Sequence, residues 1–131
     1  FTRIIFIGDS GPSQPAQEQV AQMLSAEWAD RGVNVLHIGA YYSENGQHDA
    51  LQADGYSSPE IGTHAGIRDT SEVLAVHPDG VRFNPIYPQG DVDPGYNGAP
   101  GKATAEIGEQ MLDLKVKAAL QQIQSLSGAG T

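Results

Sequence analysis

The chain opens with two short apolar segments on either side of a stretch with helical periodicity. Residues 4–7 are continuously apolar and end at Gly8, a pattern typical of a central strand buried on both faces of a parallel sheet. A second strand is predicted over 33–38, where the apolar residues are Val33, Val35, Leu36 and Ile38. Between them, in the helix predicted over 16–31, the apolar positions expected to pack on the sheet are Val20, Met23, Leu24 and Trp28. This order predicts a βαβ unit with parallel strands.

The rest of the chain has one further long helical pattern. Residues 41–62 are rich in Gly, Ser, Asn, Asp and Gln, which predicts a long loop. Asp69 is predicted to cap a short helix that ends before Pro78. Residues 84–101 contain four prolines and predict an extended surface connection, whereas 103–126 predict a long amphipathic helix.

Composition and charge narrow the class of protein. The 131 residues fit a single domain. Seven basic and 16 acidic side chains give a net charge of −9, which makes nucleic acid an unfavourable partner. Without cysteine, a metal ion would need His, Asp or Glu ligands. No apolar stretch is long enough to predict a membrane span, and no feature assigns a compartment.

The first candidate site is the Gly8–Ser13 turn, at the carboxyl end of the first predicted strand, where open α/β sheets bind ligands. Ser10 is a candidate nucleophile there, and Asp9 and Gly11 are candidate substrate contacts. The Gly-Asp-Ser sequence resembles a block of the GDSL esterases, but those enzymes place an Asp-x-x-His pair late in the chain, and the last histidine here is His77. The alternative is that these residues only form a turn.

The second candidate site is the segment 60–71, which concentrates Glu, His and Asp around two glycines. His64 and Asp69 are five residues apart and are candidates for an acid/base pair or for metal ligands. The alternative is that Asp69 only caps its helix and His64 is a loop histidine. His37, at the end of the second strand, is interpreted as a partly buried strand residue.

A resemblance to a known family adds to these patterns. Residues 64–71 read His-Ala-Gly-Ile-Arg-Asp-Thr-Ser, which resembles the His-Ala-Gly-x-x-Glu-Thr-Ser signature of the creatininase (creatinine amidohydrolase) family. Residues 102–108 resemble the Lys-Ala-(Thr/Ser)-x-Glu-x-Gly opening of that family's last helix, in the same order. The Gly-Asp-Ser turn then stands in the place of its Asn-Gly-His-Gly-Gly-Asn motif. The resemblance covers nearly all of residues 1–131, as the C-terminal half of a creatininase-like domain.

The resemblance implies a three-layer α/β/α sandwich with a mostly parallel sheet, and hydrolysis of a C–N amide bond at a centre containing Zn, Mn or Fe. It matches His64 to the catalytic histidine and Asp69 to the glutamate of Glu-Thr-Ser, a catalytic and metal-binding position, with Thr63 as a substrate contact. Ser10 falls where the family has a metal-binding histidine, and Pro12 falls where creatininase itself has a metal-binding glutamate. Neither is a normal zinc ligand.

Three hypotheses follow. The first is a metal-dependent amidohydrolase acting on a small molecule or a peptide, in which the Gly8–Ser13 turn and His64 face one cleft and a separate N-terminal half supplies most ligands. The second is a non-catalytic binding or assembly subunit, and the third is a serine esterase using Ser10. The chain begins at Phe1 without methionine and resembles only the family's C-terminal half, so we expect another chain or an N-terminal half to complete the domain. We also expect homo-oligomers. If no partner covers it, an apolar face should be exposed near the first strand.

Overall fold

The computed structural model describes residues 1–83 and 95–128. These residues form two strands and five α-helices, joined by loops and single helical turns. In chain order the elements are β1 (Arg3–Phe6), α1 (Gln14–Glu27), β2 (Asn34–His37), α2 (Gln47–Ala53), α3 (Ser58–Ile61), α4 (Ile67–Val76) and α5 (Ala105–Gly128). The chain divides into two compact units, the first made of Phe1–Asn45 with Lys115–Thr131 and the second of Gly46–Leu114.

The first unit contains the predicted βαβ arrangement. β1 and β2 pair in parallel, with Arg3 opposite Asn34 and Phe6 opposite His37. On α1, the Ser25 hydroxyl accepts the amide of Val35 and donates to its carbonyl, both at 2.7 Å. These two bonds fasten the helix to the middle of β2, so the prediction of parallel strands joined by a packed helix is confirmed.

The prediction that the first strand is buried on both faces is wrong. Ile5 is 39 % exposed and Ile7 is 49 % exposed, and in the described residues β2 is the one sheet neighbour of β1. On α1, Val20 and Met23 are exposed as well, although they were expected in the core, while Leu24 and Trp28 are half-buried. The predicted apolar face near the first strand is therefore present.

The second unit has a small apolar core and more helix than the sequence predicted. The buried cluster consists of Leu51, Ile61, Ile67 and Met111. Two of these lie on α2 and α3, within the segment 41–62 that was expected to be a loop, so that prediction is wrong. The missed signal is a capping box, in which the Ser57 hydroxyl and amide both donate to the Glu60 carboxylate that follows three residues later.

The remaining boundaries agree with the sequence patterns more closely. α4 ends at Val76, before Pro78 as predicted, and α5 lies within two residues of its predicted limits at each end. Of the predicted extended connection, 84–94 lie outside the described residues, and 100–102 form a single helical turn. The α/β class is confirmed, whereas the three-layer arrangement stays a prediction. No helix within 1–83 and 95–128 is long and apolar enough to span a bilayer.

Candidate functional site

The Gly8–Ser13 turn follows β1 and leads into α1, and the side chains of Ser13 and of Gln14, the first residue of α1, hold its main chain. The side-chain amide of Gln14 donates to the carbonyls of Gly8 and Ser10, at 3.0 Å each. The Ser13 hydroxyl also donates to the Ser10 carbonyl at 2.8 Å. The side chains of Asp9 and Ser10 remain exposed, so the turn presents a carboxylate and a hydroxyl at the carboxyl end of the strand.

His37 lies at the same end of the sheet as this turn. It is the last residue of β2, and its Nε2 lies 2.8 Å from Oε1 of Gln14, the residue whose amide holds the turn. His37 is half-buried, as the sequence predicted, but its link to the turn was not foreseen. The rule that ligands bind at the carboxyl ends of parallel strands applies to β2 as well as to β1 and would have pointed to it.

A buried lysine stands beside the same turn. The Lys115 ammonium lies 2.8 Å from Oδ2 of Asp9 and 4.8 Å from the centre of the Tyr41 ring. Lys115 is only 1 % exposed. The sequence carried a signal for this position, because Met111, Lys115 and Ala119 follow one another at four-residue intervals along α5 and all three are buried.

In the second unit, Asn97 holds the loop that carries His64. The His64 amide donates to Oδ1 of Asn97 at 3.1 Å, and the His64 carbonyl accepts the Asn97 amide at 2.9 Å. The Thr63 amide donates to the same side-chain oxygen, and Nδ2 of Asn97 donates to the Thr63 hydroxyl at 3.1 Å. The main chain at 63–64 is thus fixed while the His64 side chain remains exposed.

The glycine of the His-Ala-Gly sequence makes this loop possible. A Cβ at Gly66 would overlap the carbonyl oxygen of Ile61 and would lie 2.9 Å from that of Asn97. The preceding residue, Ala65, has a φ of 48°, an uncommon conformation for a residue with a side chain. The absence of a side chain at Gly66 therefore lets three stretches of main chain approach one another behind His64.

Asp69 supports this loop instead of capping its helix as predicted. α4 begins at Ile67, and Asp69 is its third residue. Its Oδ2 accepts the amide of Ala65 at 2.8 Å, and its Oδ1 lies 2.9 Å from Nε of Arg68. Within the described residues no hydrogen bond joins Asp69 to the His64 ring. The carboxylate fixes the main chain next to His64.

Lys102, the first residue of the second family motif, pairs with the Glu60 carboxylate beside the same loop. The hydrogen bond from Lys102 is the largest influence on Glu60, and the Ser57 hydroxyl and amide add to it; together they lower the pKa of the Glu60 carboxyl to about 2. The same hydrogen bond raises the pKa of Lys102. The ion pair therefore joins the start of the α5 region to the capping box of α3.

The other motif residues explain how α5 packs on α4. The Thr104 hydroxyl accepts the amide of Ile107 at the start of α5, and the Thr104 amide donates to the buried Ser71 hydroxyl at 3.2 Å. A Cβ at Gly108 would overlap the Ser71 carbonyl oxygen. The motif Lys-Ala-Thr-x-Glu-x-Gly is thus accounted for by an ion pair, a helix cap and a close helix contact.

The match to known proteins fits this structure. A family model described as creatininase, creatinine amidohydrolase, matches residues 1–123. The chain belongs to the creatininase family. A solved structure of a Trp-to-Phe mutant creatininase of type II is 24 % identical to this chain, with a TM-score of 0.50, over 79 % of this chain and 48 % of the creatininase. A second Trp-to-Phe mutant creatininase is also 24 % identical, with a TM-score of 0.49 and the same coverage. None of the curated proteins matches.

The family match and the first of these structures show the creatininase fold and do not show the reaction. The chain spans about half the length of the creatininase structures it matches, since it covers 48 % of them. The identity is too low to carry residue roles from one protein to the other. The catalytic assignments of His64, Asp69 and Ser10 and the substrate contacts Asp9, Gly11 and Thr63 therefore stay predictions. The Gly8–Ser13 residues lie in the first unit and the His64 loop in the second, and their predicted approach stays a prediction too.

The residues present do not fit the divalent metal that the family implies. In 1–83 and 95–128 no three His, Asp or Glu side chains form a group that could hold a metal ion. The Asp69 carboxylate, predicted as a ligand, already binds the Ala65 amide and Arg68. Asp9 is paired with Lys115, and its neighbours Ser10 and Pro12 are poor ligands.

Proposed function

We propose that the chain is part of an amidohydrolase of the creatininase type, which hydrolyses a C–N amide bond in a small molecule or a peptide. The observation that carries the proposal is the loop around His64. Its main chain is fixed by Asn97 and Asp69, while its imidazole is exposed and open to a substrate. A histidine held in this way suits general acid–base catalysis, because an imidazole can both donate and accept a proton.

The proposed role of His64 is to move a proton during cleavage of the amide. The imidazole would give its proton to the leaving nitrogen or take one from the attacking water. Asp69 would keep the loop in shape through the Ala65 amide, without touching the ring. The divalent metal that the family implies, Zn, Mn or Fe, would activate water and polarise the carbonyl. We propose that the remaining half of the domain supplies its ligands, since the donor groups in 1–83 and 95–128 do not fit a metal.

The proposal includes a partner for the first unit. A parallel sheet is normally covered on both faces and has more than two strands. Here Ile5 and Ile7 are exposed on and next to β1, and the matched creatininases are about twice as long as the aligned region. We therefore propose that the remaining half of a creatininase-like domain, from the same protein or from another chain, covers β1. Homo-oligomers are a further expectation of the family resemblance.

The activity is tested with the intact protein and a panel of amides that includes creatinine, other cyclic amides, formamides and short peptides. Removal of the imidazole in His64→Ala should lower turnover by roughly 10²–10⁴-fold, the usual share of general acid–base catalysis, and should leave the unfolding midpoint unchanged. The matched control is His48→Ala, which removes another exposed histidine of the same unit. Equal turnover in His64→Ala and wild type would reject the assignment.

A non-catalytic binding or assembly subunit is the second candidate. The observation in its favour is that the Gly8–Ser13 turn carries Ser10 and Pro12 and an Asp9 already paired with Lys115. An intact protein that hydrolyses none of the amides, yet forms a stable complex unaffected by His64→Ala, would support this candidate. The serine esterase has less support, because within the described residues no histidine hydrogen-bonds to the Ser10 hydroxyl. Labelling of Ser10 by a fluorophosphonate would support this third candidate.

A further inference from the structure

The Lys115 ammonium lies inside the first unit, next to the turn after β1. The Lys115 side chain is 2 % exposed and the Asp9 side chain is 52 % exposed. Lysine is almost never fully buried unless its charge is paired, because removing an ammonium from water is costly. Asp9 supplies that charge at 2.8 Å, and the face of Tyr41 adds a second favourable contact at 4.8 Å. The Lys115 side chain therefore places a positive charge permanently beside this turn.

The main-chain carbonyls of Gly8 and Ser10 are already engaged in holding the conformation of the turn. The Gly8 and Ser10 carbonyls accept hydrogen bonds from Gln14, and the Ser10 carbonyl also accepts one from Ser13. His37, the nearest imidazole at this end of the sheet, is hydrogen-bonded to Gln14 as well. A divalent ion on Asp9 would therefore face the Lys115 ammonium at close range, where like charges repel, and the nearby Ser10 and Pro12 offer no normal metal ligand.

We propose that the Lys115 ammonium takes the place of a divalent metal ion at the Gly8–Ser13 turn. The single positive charge neutralises Asp9 and fixes the carboxyl end of β1 to α5, so this turn keeps its conformation without metal. The proposal rests on the first unit alone and goes beyond the proposed function, because an amidohydrolase can still hold a metal ion elsewhere. A metal bound by Asp9 and a metal bound by other residues can be told apart by changing Asp9.

The first experiment measures metal on the intact protein. Bound Zn, Mn and Fe are quantified in wild type and in Asp9→Asn, and the affinity of each for added Zn²⁺ is titrated. Because Asp9 is paired with Lys115, we expect Asp9→Asn to contain as much metal as wild type and to bind added Zn²⁺ with an affinity within about twofold of the wild-type value. A loss of one equivalent of metal, or a tenfold weaker affinity, in Asp9→Asn would overturn the proposal. Asn keeps a side-chain oxygen that can accept a hydrogen bond from the ammonium, so we expect this variant to fold with a lowered unfolding midpoint, which is measured first.

The second experiment tests the ion pair through stability. Lys115→Met should lower the unfolding midpoint by several degrees, and adding Asp9→Asn to it should lower the midpoint no further, because one pair cannot be lost twice. The matched control is Lys117→Met, which removes an exposed ammonium two residues along α5 and should have a small effect. Additive losses in the double variant would overturn the proposal. If Lys115→Met does not fold, the metal measurements on Asp9→Asn decide the question alone.

Discussion

Asn97 contacts the main chain on both sides of the Thr63–His64 peptide, although 33 residues separate it from His64. One side-chain oxygen accepts the amides of Thr63 and His64, and the Asn97 amide returns a hydrogen bond to the His64 carbonyl. The sequence gives no local sign of this role, because Asn97 lies in a Pro- and Gly-rich stretch that predicts only a surface connection. A motif can therefore identify His64 without revealing the residue that positions it.

Replacing this side chain should loosen the loop without unfolding the unit. In Asn97→Ala the amides of Thr63 and His64 lose their acceptor, so we expect both to exchange hydrogen faster, while the amides of α4 keep their protection. Hydrogen–deuterium exchange resolved by residue measures this. Asn34→Ala removes an exposed asparagine of the first unit and should leave exchange at 63–64 unchanged. Unchanged exchange in Asn97→Ala would show that the side chain does not hold the loop.

The Glu60 carboxyl makes a pH-dependent contribution to stability whose sign follows from its lowered pKa. Its pKa falls from 4.5 to about 2 on folding, mainly because of the hydrogen bond from Lys102. The contribution of Glu60 to stability is therefore fully present above pH 4.5 and is lost as the pH falls towards 2. Urea unfolding across this pH range should show that wild type has a higher free energy of unfolding than Glu60→Gln near pH 5, and that this difference shrinks as the pH falls. A constant difference between the two proteins would contradict the assignment.

At the scale of elements, periodicity predicted the long segments and missed the short ones. β1, β2, α1, α4 and α5 follow from apolar spacing. α2 and α3 contain seven and four residues and bury few apolar side chains, so tertiary contacts of Leu51 and Ile61 decide their conformation. The capping box at Ser57 could have been predicted from the local sequence. The ion pair of Lys115 with Asp9 could not, since the two partners are 106 residues apart.

The contact between α4 and α5 depends on one glycine. A Cβ at Gly108 would overlap the Ser71 carbonyl, so Gly108→Ala should force the helices apart and lower the free energy of unfolding by about 1–3 kcal/mol. Gly101→Ala is the matched control, because no heavy atom lies within 4 Å of its Cβ position, and we expect a change within about 0.5 kcal/mol. Urea unfolding compares the two variants. An increase in stability in Gly108→Ala, the usual result inside a helix, would show that the helices are not in close contact there.

At the scale of the whole molecule, the main disagreement between pattern and structure is at β1. The continuous apolar run predicts a strand covered on both faces, yet two of its isoleucines are exposed. Sequence patterning reflects the environment in which the protein works, so the run is consistent with a sheet that continues beyond β1. The family match over residues 1–123 and the 48 % coverage of the matched creatininase agree with the same interpretation.

A charge placed on β1 tests whether that face is covered in the intact protein. Ile5 is 39 % exposed on β1, and Val73 is 40 % exposed on α4, so the two positions are matched in exposure. If another half of the domain covers β1, Ile5→Lys buries an ammonium without a partner and should lower the free energy of unfolding of the intact protein by about 2–5 kcal/mol. Val73→Lys should cost about 1 kcal/mol or less, because its ammonium stays in water. Unfolding in urea and the mass of the assembly in solution measure both variants. Equal and small losses in the two variants would show that β1 faces solvent in the working protein and that its apolar run serves another purpose.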